Sequence, residues 1–199
     1  FDMRTSARDL HTALVAGLRG EGSDVIDVGR VATPILYFAT TTLRAVGGAM
    51  ITASHNPGAY NGFKLCGPNA APIGIESGLR EIRDVALGLH GQPAPAPRGT
   101  VRSEDPKPRY YETLLELFPS RPRLRAVIDA GNGIAGEAYS GLIDRLPIEA
   151  RRLYFEPDGR FPNHEADPLK HENLADLRKA VLEARADLGI AFDGDGDRA

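Results

Sequence analysis

Apolar side chains in the first half of the chain follow helical spacing in some stretches and strand-like runs in others. Leu10, Leu14 and Leu18 recur every four residues, which predicts an amphipathic helix. Thr33 and Pro34 predict the N-cap and the first position of a second helix. In chain order, the remaining predicted features of this half are a cap at Ser6, a strand at 25–28, a helix at 35–43, strands at 49–52 and 63–65, and a helix at 76–87.

Strands and helices also alternate in the second half. The run 125–130 is short and mostly apolar, which is typical of a buried strand, and it leads into a glycine-rich turn. The other predicted elements are helices near 110–118, at 137–146 and at 173–185, and strands at 149–155 and 188–192. Such alternation predicts sheets whose parallel strands are joined by crossover helices. The expected fold class is therefore α/β, with mixed, mostly parallel sheets.

A proline-rich stretch separates the two halves. Residues 92–109 contain five prolines, which favour extended backbone and forbid a continuous helix. We therefore predict two tandem α/β domains, the first over 1–97 and the second over 110–199, joined by a linker over 98–109. The chain lacks an initiator methionine and stops directly after an acidic cluster, so we also expect it to be a piece of a longer protein.

Composition narrows the function classes. Hydrophobic residues make up 42% of the chain, and no apolar run approaches the roughly 18 residues that a membrane span needs. A net charge of -3 argues against bulk electrostatic binding to nucleic acid or to an anionic membrane. Cys66 is the one cysteine of the sequence, which fits a reducing cytosol. We expect a cytoplasmic protein with no nucleic-acid or membrane partner, and the sequence leaves its oligomeric state open.

Three aspartates follow the last predicted strand. Asp193, Asp195 and Asp197 alternate with glycines, so the loop can turn several carboxylate oxygens toward one hard cation. Mg²⁺ prefers oxygen ligands and usually keeps places for water or phosphate. The loop would lie at the carboxyl end of a sheet, where the sites of α/β proteins collect. The spacing predicts a Mg²⁺ site, and a solvated acidic turn is the alternative.

A second polar loop follows the strand at 49–52. It reads TASHNP, with Ser54 and His55, and continues into YNGFK, with Lys64. A hydrolase-type Ser–His pair is disfavoured because adjacent residues on a strand point to opposite faces. Ser54 could instead carry a phosphoryl group that nearby cations and Mg²⁺ stabilise. A plain turn, in which His55 and Asn56 only satisfy backbone groups, explains the local sequence equally well.

Taken together, the two motifs resemble a known family. TASHNP with YNGFK in one half, and AFDGDGDR in the other, are similar to motifs of the α-D-phosphohexomutases, above all their bacterial phosphomannomutase/phosphoglucomutase branch. The resemblance covers most of the chain. Further similar segments are DMRTS at 2–6, DAGNG at 129–133, FPNH at 161–164, DP at 167–168 and ENL at 172–174.

The resemblance implies a role for each matching residue. Ser54 matches the serine that is phosphorylated in the resting enzyme, and Lys64 matches a residue proposed as general acid/base. A lysine base would need a pKa lowered by burial or by neighbouring cations. His55 and Arg198 match cations around the phosphoryl group. The implied Mg²⁺ ligands are Asp193, Asp195 and Asp197, with a phosphate oxygen on Ser54 completing the set.

The implied reaction is an intramolecular phosphotransfer. Phosphorylated Ser54 would donate to O1 or O6 of a mannose or glucose monophosphate, the bound hexose 1,6-bisphosphate would turn end for end, and Ser54 would take back the other phosphate. Hexose 1,6-bisphosphate is also the expected phosphorylating activator. The family has four domains, and this chain matches parts of the first two. We therefore expect residues 1–199 alone not to turn over substrate, and mutase activity measured for that chain in isolation would contradict this.

Alternatives remain at this point. The first alternative is a nicotinamide-dinucleotide site. The segment GNGIAG at 131–136 is a full G-x-G-x-x-G motif after a strand, and Glu156 stands where an acidic residue would bind the ribose. Glycines there also serve a tight strand-to-helix turn. A metal-binding module without catalysis is a second alternative. Within the family, phosphoglucosamine mutase is a third, and the YNGFK continuation favours mannose and glucose phosphates over it.

Overall fold

Helices and strands alternate along the chain in the computed structural model, which describes residues 1–90, 92, 96, 98–119 and 123–199. The α-helices are α1 (Ala7–Gly20), α2 (Thr33–Thr42), α3 (Leu79–Gly88), α4 (Lys107–Leu117), α5 (Ala135–Ile143) and α6 (Ala175–Ala184). The strands are β1 (Val25–Asp27), β2 (Gly48–Ile51), β3 (Phe63–Cys66), β4 (Val101–Ser103), β5 (Leu124–Asp129), β6 (Ile148–Leu153) and β7 (Leu188–Ala191). This order confirms the α/β class. None of the helices described is long and apolar enough to cross a membrane.

The described strands form small sheets of mixed type. In the second half, β6, β5 and β7 form a parallel sheet with β5 in the centre, which explains the continuous apolar run of β5. In the first half, β1 pairs with β4 in parallel and β2 pairs with β3 antiparallel. Phe1 and Asp2 connect these two pairs, because the backbone nitrogen of Phe1 donates to the Gly29 carbonyl at 3.0 Å and the Asp2 amide donates to the Ile51 carbonyl at 3.1 Å.

The segment predicted as a linker contains a strand. β4 lies at residues 101–103 and pairs with β1, with Val25 opposite Val101 and Asp27 opposite Ser103. All three side chains of β4 are exposed, so the sequence has no apolar pattern there that could have predicted the pairing. Residues 93–95 and 97 of the proline run lie outside the described residues. The domain bounds drawn at 97 and 110 therefore stay a prediction.

At three predicted helix starts, the residues are used differently from the prediction. Ser6 lies at the N-cap of α1 without capping it, and its hydroxyl accepts a hydrogen bond from Asn61 Nδ2 at 3.0 Å instead. Thr33 is inside α2 rather than at its N-cap, which is Ala32. The helix predicted from residue 76 begins as a 3-10 turn at Ile75–Ser77, and α3 follows after Gly78.

The two halves of the chain share one apolar core. Ile35 and Met50 from the first half and Ile128 and Ile134 from the second are each at most 2% exposed and belong to the same cluster of packed side chains. α2 also packs against α4, where the Phe38 and Tyr110 rings meet edge to face with centroids 5.3 Å apart. The shared core fixes the halves against each other, and with them the loops that follow β2 and β7.

Candidate active site

The loop between β2 and β3 presents Ser54 to the other half of the chain. Ser54 has a left-handed backbone, with φ of 52°, and is 8% exposed. Its amide donates to Thr52 Oγ1 at 2.8 Å. Its hydroxyl donates to Asp193 Oδ2 at 2.7 Å and accepts a hydrogen bond from the Arg198 guanidinium. The Ser54 hydroxyl therefore pairs with Asp193 and Arg198, which both follow β7, and not with the adjacent His55. We call the residues 192–198 after β7 the aspartate loop.

A buried arginine shapes this serine loop. Arg4 Nη1 donates to the carbonyls of Pro57 and Tyr60, each at 2.9 Å. Arg4 Nη2 donates to the carbonyls of Ser54 at 2.7 Å and Asn56 at 2.8 Å. Arg4 Nε donates to Asp2 at 3.2 Å, and both side chains are fully buried. Each of the five N–H groups of the guanidinium thus has an oxygen acceptor.

The aspartate loop follows β7 and gathers three carboxylates. One oxygen from each of Asp193, Asp195 and Asp197 can be chosen so that all three lie within 4.8 Å of one another. Asp193 and Asp195 are fully buried. The Tyr139 hydroxyl donates to the Gly196 carbonyl at 2.8 Å and holds the turn of the loop against α5.

Cations from both halves surround these carboxylates. Lys64 on β3 donates to Asp195 at 2.6 Å and to Asp197 at 2.5 Å. Arg198 Nη2 donates to Asp193 Oδ2 at 2.9 Å and also contacts the Nδ1 atom of His55. The structure therefore brings together every residue that the sequence predicted for the site, while their chemical roles stay a prediction.

Burial and the neighbouring carboxylates shift the pKa values of Asp193 and Lys64. Burial raises the pKa of Asp193, and the charge of Asp195 raises it further. Burial alone would lower the pKa of Lys64, but its hydrogen bonds to Asp195 and Asp197 outweigh burial and raise it. The lowered pKa expected of a lysine base is therefore not found here, because the two carboxylates stabilise the charged form of Lys64.

The donor set fits a hard divalent cation. Asp195 Oδ1 is buried and has no hydrogen-bond partner among the described residues, which is costly for a carboxylate oxygen that no cation contacts. Oxygen ligands from converging carboxylates are those that Mg²⁺ takes. A phosphate on Ser54 would also lie against Asp193, and a cation between the two anions would remove their repulsion.

Thr33 and Arg4 are site residues that the sequence analysis missed in these roles. Thr33 donates from its hydroxyl to Asp195 Oδ2 at 2.5 Å and from its amide to the Asp195 carbonyl at 3.0 Å, so the start of α2 binds the aspartate loop. The dipeptide Thr33-Pro34 signals a helix start but not which acceptor the threonine takes. Arg4 lies in the DMRTS segment, where a resemblance was visible without any indication of its partners.

The glycine-rich turn is used for packing within the protein. The amide of Gly131 donates to Asp129 at 2.8 Å, that of Asn132 to the Tyr154 carbonyl at 2.9 Å, and that of Ile134 to the Gly194 carbonyl at 3.0 Å. Because a dinucleotide would need such amides for its pyrophosphate, this geometry disfavours the nicotinamide-dinucleotide alternative. The turn instead supports the aspartate loop through Gly194.

Comparison with known proteins gives matches along nearly the whole chain. The family model described as phosphoglucomutase/phosphomannomutase, alpha/beta/alpha domain I, matches residues 1–87. The model described as domain II of the same family matches residues 108–199. A solved structure from Burkholderia thailandensis, of a phosphoglucomutase/phosphomannomutase family protein, is 36% identical with a TM-score of 0.85 and covers 99% of this chain and 44% of its own.

Curated relatives extend well beyond this sequence. A phosphomannomutase/phosphoglucomutase of Pseudomonas aeruginosa is 43% identical over 202 residues, which is 99% of this chain and 42% of the relative. A phosphomannomutase of Escherichia coli is 41% identical over 99% of this chain and 45% of the relative. The chain therefore spans less than half the length of these relatives.

Replacing Arg4 tests its role in the serine loop. Lysine carries three N–H donors where arginine has five, so Arg4→Lys leaves at least two buried oxygens without a donor, at roughly 1–3 kcal/mol each. We expect the free energy of unfolding, measured by urea denaturation, to fall by at least about 2 kcal/mol. The control Arg80→Lys alters an exposed ion pair with Glu76 and should change the free energy of unfolding by less than about 0.5 kcal/mol. If both variants lowered the free energy of unfolding by the same amount, Arg4 would not have the proposed role in the serine loop.

An ion pair between a partly buried histidine and a fully buried aspartate supports the loop that follows β6. His164 Nε2 lies 3.0 Å from Asp129 Oδ2, and Nδ1 lies 2.8 Å from the Glu165 carbonyl, so both ring nitrogens face oxygen acceptors. The hydrogen bond to Asp129 raises the pKa of His164, and burial offsets part of this shift. Because the folded pKa is raised, the pair contributes its full stability below the unfolded pKa of about 6.5 and loses it as the pH rises through the folded value.

Substitution of His164 should therefore lower the free energy of unfolding by an amount that depends on pH. We expect His164→Gln to lower the free energy of unfolding more at about pH 5.5 than at about pH 8.5, in urea denaturation at each pH. His171→Gln, at an exposed histidine of the same half, is the matched control and should show no such difference. A cost that is the same at both pH values would show that the ion pair adds nothing.

Proposed function

This chain belongs to the phosphoglucomutase/phosphomannomutase family, and on that premise we propose that it holds the phosphoryl-transfer site of a hexose-phosphate mutase. The enzyme interconverts hexose 6-phosphate and hexose 1-phosphate, with mannose and glucose as the sugars. One observation carries the proposal: the Ser54 hydroxyl lies 2.7 Å from Asp193 and contacts Arg198, where the serine loop of one half meets the aspartate loop of the other. The names of the relatives from Pseudomonas aeruginosa and Escherichia coli agree with this activity.

Ser54 is the phosphoryl carrier in this proposal. Its oxygen attacks one phosphate of a bound hexose 1,6-bisphosphate: a bond forms between the Ser54 oxygen and phosphorus, and the bond from phosphorus to the sugar oxygen breaks. The proton of the Ser54 hydroxyl passes to Asp193 Oδ2, its hydrogen-bond acceptor at 2.7 Å, and the sugar oxygen leaves with a proton from another group. Arg198 already donates to the Ser54 oxygen and contacts His55, so its guanidinium is placed to neutralise charge on the transferred group. In the reverse direction, phosphorylated Ser54 returns the group to a hexose monophosphate. The bisphosphate is therefore both the intermediate and the activator that first loads Ser54.

Lys64 is the general acid of the half-reaction that phosphorylates Ser54. The leaving sugar oxygen needs a proton, and the two carboxylates next to Lys64 keep its ammonium protonated at neutral pH. Its side chain is 29% exposed, so a ligand can reach it.

Asp193, Asp195 and Asp197 would hold Mg²⁺. When bound, the ion supplies positive charge that stabilises the transferred phosphoryl group. The carboxylates are themselves held by side chains of this chain, since Thr33 and Lys64 bind Asp195 while Arg198 binds Asp193. We place the enzyme in the cytoplasm, as its small-molecule substrates and lone cysteine suggest.

Phosphopeptide mass spectrometry of the full-length protein tests the proposal. After incubation with Mg²⁺ and glucose 1,6-bisphosphate, we expect phosphate on Ser54, and excess mannose or glucose monophosphate should remove it. Ser54→Ala should abolish both the modification and mutase activity, and chelation of divalent ions should abolish activity of the wild type. Ser77→Ala, at an exposed serine of a 3-10 turn, should change neither. If Ser54 of the wild-type protein stayed unmodified under these conditions, the proposed mechanism would be wrong.

A further inference from the structure

The loop that follows β6 reaches across to the first half of the chain. A β carbon on Gly159 would lie only 2.8 Å from Arg4 Cα and 2.8 Å from the Met3 carbonyl oxygen, so the two backbones are in direct contact. The loop is itself held by Asn132, whose carbonyl accepts from the Asp158 amide at 2.9 Å and whose side chain donates to the Glu156 carbonyl at 2.8 Å. This part of the second half is thus fixed against the arginine that shapes the serine loop.

The Phe161 ring extends this contact to the aspartate loop. Arg4 Cζ lies 5.3 Å from the ring centroid. A β carbon on Gly194 would lie 3.6 Å from Phe161 Cζ, so the ring edge points at the aspartate loop. The N–H groups of Arg4 are all engaged with oxygen acceptors, so the flat face of the guanidinium is what remains for Phe161, and aromatic rings bind that face well.

The backbone of Phe161 is held in a conformation that a phenylalanine rarely adopts. Its φ is 51°, in the left-handed region, and its amide donates to the Asp158 carbonyl at 2.9 Å. A bulky residue persists there only where the surrounding contacts determine its position. The ring is therefore placed by the loop, and the loop by Asn132.

We propose that Phe161 is a positioning residue for phosphoryl transfer, because its ring keeps Arg4, and through Arg4 the Ser54 loop, in register with the aspartate loop. The inference rests on the proposed function. Ser54 and Asp193 come from different halves of the chain, so their separation of 2.7 Å depends on contacts between the halves. A misplacement of about 1 Å can cost on the order of a hundredfold in rate, so a ring that fixes this separation acts on the reaction without touching the substrate.

Two substitutions in the full-length protein separate positioning from general stability. Phe161→Leu keeps the apolar bulk and the backbone but loses the ring face. In this variant we expect kcat and the rate of Ser54 phosphorylation by glucose 1,6-bisphosphate to fall by about tenfold or more, with KM within about threefold of wild type. Phe118→Leu, at an exposed phenylalanine at the end of α4, is the matched control and should leave both rates unchanged.

The same variants give a readout that needs no activity. Hydrogen exchange should quicken in Phe161→Leu in peptides spanning 53–62 and 192–198 and stay at the wild-type rate in α6. If the wild type shows no mutase activity, the proposed function fails while this measurement still decides the positioning role. Three results would overturn that role: exchange unchanged in both loops, exchange faster throughout the chain, or a kcat of Phe161→Leu equal to that of the wild type.

Discussion

One buried guanidinium determines where the serine loop lies. Arg4 makes four hydrogen bonds to main-chain carbonyls between Ser54 and Tyr60 and a fifth to Asp2, and none of its donors faces solvent. Burial of a charged group is tolerated only when its hydrogen bonds are satisfied, so the loop and the arginine specify each other. The left-handed φ of Ser54 fits this arrangement, since its own carbonyl faces Arg4 and its hydroxyl faces Asp193, while the preceding Ala53 carbonyl accepts from Asn56.

The aspartate loop poses the opposite electrostatic problem. Asp193 and Asp195 are fully buried next to each other. Two positive charges offset them: Lys64 on β3 pairs with Asp195, and Arg198 in the same loop pairs with Asp193. Thr33 adds two hydrogen bonds from the start of α2. Like charges held this close are stable only with cations beside them, which is also the condition for stabilising a phosphoryl group. The arrangement that keeps the loop folded is thus the one that the proposed chemistry needs.

Local sequence predicted the helices and strands well where burial or periodicity is strong. β5 and β7 are short apolar runs, and α1 has regular leucine spacing, so their positions agree with the prediction to within one or two residues. The sequence did not predict β4, because its side chains are all exposed and its pairing with β1 joins residues that are far apart in the chain. The site residues were predicted from two motifs and a family resemblance, and the structure brings them together. The contacts of Arg4, Thr33 and Phe161 could not be predicted, because a hydrogen bond or a ring contact between residues that are 50 or more positions apart leaves no periodic trace in one sequence.

The contact at Gly194 has a mechanical consequence. A β carbon there would lie 2.3 Å from the Ser54 carbonyl oxygen, so the two loops meet backbone to backbone with no compressible side chain between them. Packed protein interiors have low compressibility, so the two backbones cannot come closer unless one of the loops shifts. In the proposed reaction, the side of the site that these two backbones form is therefore rigid, and the sugar has to reorient beside it.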